Sequence, residues 1–306
     1  MPRARTRPAA KTTAQWRAWQ SAPLDDRDRV ALLLDGVHIG EHCLIVALGI
    51  AADGQKHALG LWEGATENAA LCQSLLANLQ SRGLRTDRSL LVILDGAQAL
   101  HRATRAVFGA AALIQRCQVH KLRNILDHLP ERQRPWVQAI VRRAYLATDV
   151  KTATRLLTDL ARRLENDYPS AAGSVREGRE ETLTVLTLPL SARLQRSLAT
   201  TNAAESLLSR TRHVKRNVKR WRGGQMMLRW VAAGVLEAVK GFRRLKGAPT
   251  CLVSSPRSAH AINDSNSGAQ WPTSRSISTE PPPNLNSRRD IPPISCDASP
   301  TPPAGR

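Results

Sequence analysis

Short apolar runs followed by an acid and a glycine constrain the fold of this chain more than any other feature. The runs and the pairs that follow them are residues 30–34 with Asp35-Gly36, 42–50 with Asp53-Gly54, 57–62 with Glu63-Gly64, and 90–94 with Asp95-Gly96. Apolar runs of this length that end in such pairs are typical of strands joined by tight turns. We therefore predict a three-stranded antiparallel meander followed, after a helix, by a fourth strand.

Helical periodicity fills much of the remaining chain. Thr66 is a candidate N-cap of a helix that stops at Gly83, and a fifth strand is expected over residues 111–117. Further helices are expected over residues 97–108, from 119 to about 168, and over 200–212 and 225–245, with an extended segment at 182–188. Three strands, helix, strand, helix and strand is an order typical of a mixed sheet with helices packed on it, so we predict the α/β class.

The two ends of the chain differ from the part between them. Residues 1–28 are basic and show no clear period, and we interpret them as a basic N-terminal arm, although a transit peptide has a similar composition. Residues 248–306 are rich in Ser, Pro and Asn and are almost neutral, which predicts a disordered tail.

The charge of the chain indicates a polyanionic partner. The formal net charge is +20 over 306 residues, and the pI is about 11.2. Such an excess repels itself unless a polyanion neutralises it, and nucleic acid is the obvious candidate, whether DNA or RNA. No apolar run is long enough to span a bilayer, and no helix has the basic and apolar faces of an interfacial anchor. We therefore expect no membrane partner.

Asp35 and Asp95 follow runs that are apolar on both faces, which predicts strands at the centre of the sheet. Adjacent central strands would bring both carboxylates together, where they could share Mg²⁺ ions about 4 Å apart and support phosphoryl transfer. The alternative is that each Asp-Gly pair is ordinary turn chemistry, as we expect for Asp53 in its hairpin.

Glu205 is the candidate for a third acid. Thr200, Thr201 or Asn202 can cap the helix that carries it, which places Glu205 in the early turns. Ser209, Arg212 and Arg216 share its face at helical spacing, as suits a site that binds metal and then DNA backbone. A glutamate that is stabilised by the helix dipole, beside a solvated basic face, explains the same spacing equally well.

A basic run follows this acid. It contains Arg210, Arg212, Lys215, Arg216, Lys219, Arg220, Trp221 and Arg222. Charge runs are usually solvated, but an interleaved aromatic ring suits contact with backbone or unpaired bases, so we favour DNA binding that positions rather than reads the sequence.

Cysteine usage gives two further expectations. The five cysteines are odd in number and scattered, which is unlike a disulfide framework and favours a reducing cytoplasm. Cys117 and His120 form a C-x-x-H step, but no second pair is placed to complete a zinc site. We interpret them as structural or active-site support, with phosphate contact by His120, beside Lys121 and Arg123, as an alternative.

Several of these segments together resemble one known family. They are LLLDGVHIG at 32–40, LVILDGAQAL at 91–100, IQRCQVHKLRNIL at 114–126, TTNAAESL at 200–207, NVKRWRGGQMMLRW at 217–230 and FRRLKG at 242–247. In this order they resemble the bacterial Mutator-type insertion-sequence transposases, over roughly residues 29–247. Each motif alone is weak, and the ordered set is specific.

The resemblance implies an RNase H-like catalytic domain in which Asp35, Asp95 and Glu205 are a DDE triad. It divides the chain into a first part of the core at 29–125, an all-helical insertion at 126–198 and a second part at 199–247. It implies cleavage at terminal inverted repeats and strand transfer by the freed 3′-hydroxyl, with Mg²⁺ as cofactor and Mn²⁺ as a substitute. The implied partners are double-stranded DNA of the repeats and the target, bound by a homodimer or larger assembly in the bacterial cytoplasm, at the nucleoid.

Both ends depart from the usual pattern of that family. Members ordinarily continue from the FRRLKG-like element into a short apolar terminus, whereas this chain runs into Ser/Pro-rich sequence. Members usually carry a sizeable region before the first catalytic Asp, which reads the repeats, whereas 34 residues precede Asp35 here. A truncated, catalytically idle DNA-binding remnant is therefore an alternative function. A nuclease unconnected with transposition is a third, which the motifs disfavour.

Overall fold

The computed structural model describes residues 6–26, 28–39, 42–64, 69–215 and 224–245. All of them belong to the first of two units, residues 1–261, and the second unit, residues 262–306, lies outside the described residues, as does the whole predicted tail at 248–306. The strands are β1 (Arg29–Ile39), β2 (His42–Ala51), β3 (Lys56–Gly64), β4 (Leu90–Leu94) and β5 (Ala112–Arg116).

The helices, together with two 3₁₀ turns at Gly109–Ala111 and Glu131–Gln133, account for most of the remaining described chain. They are α1 (Thr6–Ser21), α2 (Ala69–Ser81), α3 (Gln98–Phe108), α4 (Gln118–Asp127), α5 (Arg134–Tyr145), α6 (Val150–Leu164), α7 (Pro169–Arg176), α8 (Arg179–Thr182), α9 (Thr184–Thr187), α10 (Ala192–Leu198), α11 (Asn202–Lys215) and α12 (Gly224–Val239). Within the described ranges, none of these helices is long and apolar enough to cross a membrane.

The five strands form one mixed sheet in the order β3-β2-β1-β4-β5. The first three are antiparallel neighbours, while β4 runs parallel to both β1 and β5. The predicted α/β class, the antiparallel meander and the central position of β1 and β4 are therefore confirmed. The Asp53-Gly54 hairpin is confirmed too, since Gly54 has a φ of 79° and the Asp53 carboxylate accepts from Gln55 N at 2.9 Å.

Successive strand residues point to opposite faces of the sheet, and helices cover both faces. In β1, Ala31 and Leu33 pack against α11 and α12, whereas Leu32 and Leu34 pack against α2 and α3. A fully buried leucine contributes about 1.5–3 kcal/mol, so this strand is a main source of stability. The alternation also decides which helix layer a side chain at position 35 faces.

A third core belongs to helices alone. In the continuous range from Gln118 to Leu198 every regular element is helical, and side chains of α4 to α7 pack together there. The extended segment predicted at 182–188 is wrong, because α8 and α9 occupy it. The amide of Gln115 in β5 explains the difference: it donates to Thr182 O at 3.0 Å and accepts from Val185 N at 2.9 Å, so this backbone is held as turns against the edge of β5.

The basic N-terminal segment also differs from expectation, since residues without a clear period form α1 over Thr6–Ser21. Its Trp19 Nε1 donates to Ala58 O at 2.9 Å. The Gln20 amide donates to Leu61 O at 3.0 Å and accepts from Leu61 N at 3.2 Å. These bonds take up backbone groups of β3, an edge strand whose free polar groups would otherwise be open to pairing.

We expect Gln20→Ala to lower the free energy of unfolding by about 1–2 kcal/mol, because both polar groups of Leu61 lose a partner. Gln15→Ala, on the exposed side of the same helix, should change it by less than about 0.5 kcal/mol. Urea unfolding followed by circular dichroism measures both. Equal effects of the two substitutions would show that α1 does not depend on this contact.

Candidate active site

Asp35 lies inside β1 and does not end it. The strand continues to Ile39, and Asp35 pairs with Val46 of β2 while Gly36 pairs with Ile45. The predicted strand end, and the alternative of an Asp-Gly turn here, are therefore wrong, because pairing with β2 overrides the local turn preference. Position 35 has the parity of Leu33, so its side chain faces the layer that contains α11.

Asp95 follows β4 immediately beside Asp35. The last residue pair between the two parallel strands is Leu34 with Leu94, so the next position on each strand is an aspartate. The Asp95 carboxylate accepts a hydrogen bond from Ala97 N at 2.9 Å. Asp95 therefore forms the Asp-Gly turn that its sequence indicates. The two acids also lie at neighbouring positions, as the apolar runs predict.

Glu205 is brought to this edge by the first turn of α11. The carbonyl of Thr201 accepts from Ala204 N at 2.8 Å and from Glu205 N at 3.0 Å, which starts the helix. Just before it, Ala199 O accepts from Gln118 N at 2.9 Å. The start of α11 is therefore fixed to the start of α4, which follows β5 directly.

Cys117 and His120 connect these segments. Thr201 N and Oγ1 lie 3.4 and 3.5 Å from Cys117 Sγ, and Thr201 Oγ1 lies 3.5 Å from His120 Nδ1. The other ring nitrogen, His120 Nε2, lies 3.3 Å from Glu205 Oε1. The imidazole thus stands between the Cys117 thiol and the Glu205 carboxylate, and Thr201, considered above only as a cap, completes the network.

The electrostatics of the site depend mainly on the carboxyl group of Asp35, a residue that is 3% exposed. Burial, then the charge of Asp95, and further the charge of Glu205, raise its pKa from 3.8 to about 8, although His120 opposes this. The hydrogen bond with Cys117 and the nearby acids raise the pKa of His120 to about 8 against burial. His120 is therefore largely cationic at neutral pH and offsets part of the acidic charge.

The carboxylates do not yet form a ligand set. Within the described ranges, no group of three or more His, Cys, Asp or Glu side chains is arranged to hold a metal ion. Two of the acids are engaged elsewhere, Asp95 with Ala97 N and Glu205 with His120. Carboxylate oxygens are nonetheless the donors that Mg²⁺ prefers, and a bound cation would relieve the cost of ionisation that Asp95 and Glu205 impose on Asp35.

A second ionic network supports the Asp95 loop. Glu177 accepts from Arg116 Nη1 at 2.6 Å and from Lys121 Nζ at 2.7 Å. A Cβ at Gly96, whose φ is +109°, would lie 2.6 Å from Arg116 Nε, so the guanidinium packs directly against this loop. Lys121, the neighbour of His120 in sequence, is 1% exposed and is therefore not open to a phosphate. No local pattern signals this network, because Glu177 is 56 and 61 residues away from its partners.

The predicted basic run is described only in part. Arg210, Arg212 and Lys215 belong to the α11 backbone, but their side chains lie outside the described residues. The members that follow, Arg216, Lys219, Arg220, Trp221 and Arg222, lie outside the described residues entirely. Their contact with DNA stays a prediction.

Comparison with known protein families identifies the lineage of the chain. The family model described as "Transposase, Mutator family" matches residues 9–244, which include most of α1, all five strands and the three acids. The chain belongs to the Mutator family of transposases.

Curated relatives within this family are bacterial insertion-sequence transposases. The transposase of element IST2 from Acidithiobacillus ferrooxidans is 34% identical over 171 residues, which are 56% of each chain. That of IS6120 from Mycolicibacterium smegmatis is 31% identical over 212 residues, 66% of this chain and 64% of the relative. A probable transposase from Corynebacterium diphtheriae is 29% identical over 244 residues, 76% of this chain and 70% of the relative. The alignment thus spans between about half and two thirds of the length of the first two relatives.

The burial of Asp35 predicts a pH-dependent effect of Asp35→Asn. The folded pKa is raised from 3.8 to about 8, so the stability gained from the neutral carboxyl is complete below pH 3.8 and is lost as pH rises towards 8. Asparagine stays neutral, so we expect the free energy of unfolding of the variant to exceed that of the wild type by about 2–5 kcal/mol at pH 8.5. Urea unfolding in EDTA measures this difference, and it should nearly vanish at pH 4. A gap independent of pH would contradict the raised pKa.

Removal of the Glu177 charge should destabilise the fold. Burial opposes its ionisation, but the bonds from Arg116 and Lys121 outweigh it and hold the pKa at about 2. We expect Glu177→Gln to lower the free energy of unfolding by about 2 kcal/mol at pH 7. This is less than the loss of about 3–5 kcal/mol that follows when a fully buried ion pair is broken, because Glu177 is half exposed. A depressed pKa stabilises above pH 4.5, so the difference should shrink as pH falls towards 2.

Thermal unfolding of two separate variants, Glu177→Gln and the control Glu180→Gln, tests the network of Glu177, Arg116 and Lys121. Glu180 is exposed and three residues away, so its substitution should leave the midpoint almost unchanged. Equal midpoints for the two variants would show that the network does not stabilise the fold.

Proposed function

We propose that this chain is a DNA transposase in which Asp35, Asp95 and Glu205 bind Mg²⁺ and support DDE-type phosphoryl transfer. One observation carries the proposal. Asp35 and Asp95 occupy matching positions on adjacent central strands, and both Asp95 and Glu205 raise the pKa of the buried Asp35. A buried acid whose pKa is raised this strongly by neighbouring acids is typical of functional sites and is costly for a purely structural one.

The chemistry divides between the metal and the chain. When bound, Mg²⁺ activates a water or a 3′-hydroxyl and stabilises the leaving oxygen of the phosphodiester. The chain contributes acids on rigid elements, Asp35 on β1 and Glu205 on the first turn of α11. His120 holds Glu205 from one side and, as a cation, moderates the acidic charge until substrate and metal are bound.

The fold we propose is RNase H-like with a helical insertion. Support comes from the mixed sheet and from the helices α4 to α10, which lie in sequence between Asp95 and Glu205; α4 to α7 among them have a core of their own. The edge that carries the two aspartates is approached from both sides, by α4 after β5 and by α11.

The substrate we propose is double-stranded DNA, both the terminal inverted repeats and the target. The net charge of +20 and the basic run after Glu205 support binding to the phosphate backbone. Strand transfer joins two element ends to one target, so we propose a homodimer or a larger assembly on DNA, acting at the nucleoid in the cytoplasm. Mn²⁺ is expected to substitute for Mg²⁺.

The purified chain with a labelled terminal-repeat duplex tests this function. With Mg²⁺ or Mn²⁺, we expect nicking at the repeat end and strand transfer into a second duplex. Asp35→Asn, Asp95→Asn and Glu205→Gln should each reduce the rate by about 1000-fold, since metal ions supply several kcal/mol of transition-state stabilisation. Asp53→Asn, a substitution in the exposed hairpin, should cleave like the wild type.

The outcomes separate the enzyme from a DNA-binding remnant. Binding of the repeat duplex without cleavage under either metal would overturn the enzymatic proposal and leave a catalytically idle DNA-binding protein. Cleavage that survives Glu205→Gln but not Asp35→Asn would remove Glu205 from the ligand set.

A further inference from the structure

A cavity of about 560 Å³ lies among α4, α5, α10 and the segment that precedes α10. Its walls are mainly apolar, and they include Leu122, Leu126, Leu146 and Leu186. Leu146 is 64% exposed, an unusual position for a large apolar side chain. The volume lies within the range of about 300–1,000 Å³ that is typical of pockets for small ligands.

The rim of this cavity is positively charged. Arg123, Arg142 and Arg196 line it, and no aspartate or glutamate is among its lining residues. All three arginines are exposed, and within the described part of the chain no ion pair involves any of them. An apolar interior below uncompensated guanidinium groups fits a ligand with a flat apolar body and an anionic end.

Two chain segments that line the cavity continue directly into residues of the candidate active site. Gln118 and Val119 line it immediately before His120, and Ala199 and Thr200 line it immediately before Thr201. The bond from Gln118 N to Ala199 O joins the two segments. A ligand in the cavity therefore lies beside the elements that position Glu205.

We propose that this cavity receives an unpaired nucleotide of the DNA substrate, with its base among the leucines and its phosphate against the arginines. This rests on the proposed function, since it requires DNA at the site. A base pair within a duplex keeps its faces stacked on its neighbours, whereas a single nucleotide that leaves the stack can contact apolar walls with its face and cations with its phosphate. The pocket would thus hold DNA next to the acids without reading its sequence.

A terminal-repeat duplex with 2-aminopurine at successive positions around the cleavage site tests the proposal. Fluorescence of this base rises when it leaves the stack, and we expect a several-fold rise at one position on binding of the wild-type chain. A duplex with an unpaired nucleotide at that position should bind about tenfold more tightly than the paired duplex, because the cost of unpairing is already met.

Two pocket variants and one matched control complete the experiment. Leu146→Glu places a negative charge at an exposed wall, and Arg196→Gln removes one cation; both should abolish the fluorescence rise and the preference for the unpaired duplex. Arg193→Gln removes the same charge from the exposed surface of the same helix, outside the cavity lining, and should retain both.

Anisotropy of the paired duplex separates this proposal from the proposed function. Duplex binding without a fluorescence rise at any position, or with equal effects of Arg196→Gln and Arg193→Gln, would overturn the pocket assignment alone. Failure to bind duplex DNA would overturn both. Loss of self-association in Leu146→Glu with unchanged fluorescence would assign the cavity to a second copy and also overturn it.

Discussion

A carboxyl group buried in the middle of the sheet is the constraint on which the arrangement of this molecule depends. An isolated buried charge costs several kcal/mol, and Asp35 stands beside two further acids that raise the cost. The chain meets this with a proton on Asp35 and a cationic His120 nearby. Helix α11, the start of α4 and the Asp95 loop all converge on this point. The stability of the fold and the chemistry proposed for the site therefore depend on the same charged groups.

Hydrogen bonds between distant segments keep that point rigid. Cys117 N donates to Leu94 O at 2.7 Å, Gln118 N donates to Ala199 O, and Thr201 closes on the Cys117 thiol. Asp95 directly follows Leu94 and Glu205 lies four residues after Thr201, so two of the three acids are held close to these bonds. Glu177 holds the Arg116 guanidinium, which packs against Gly96 in the loop after Asp95. A substitution at any of these positions would therefore act on the site through its geometry, without contact with a substrate.

The sequence predicts the centre of this structure better than its periphery. Continuous apolar runs placed the strands before Asp35 and Asp95 side by side, because only central strands are apolar on both faces. The length of β1 could not be predicted, since Asp-Gly is a turn signal that pairing with β2 overrides. The extended segment predicted at 182–188 was wrong because its apolar residues divide between two cores. Leu183 and Leu186 pack in the helical core and Val185 in the sheet core, while Gln115 fixes the backbone as turns. The partners of Glu177 are separated by a whole helical region, and no local pattern connects them.

The contacts of Gln20 and Gln115 have a consequence for how copies of the chain can meet. One glutamine occupies backbone groups of β3 and the other anchors one-turn helices along β5, so side chains protect both outer strands of the sheet. A strand from another molecule could add to β3 only after α1 had been displaced. An oligomer assembled on a nucleic acid would therefore not form by strand addition at β3 while α1 is in place.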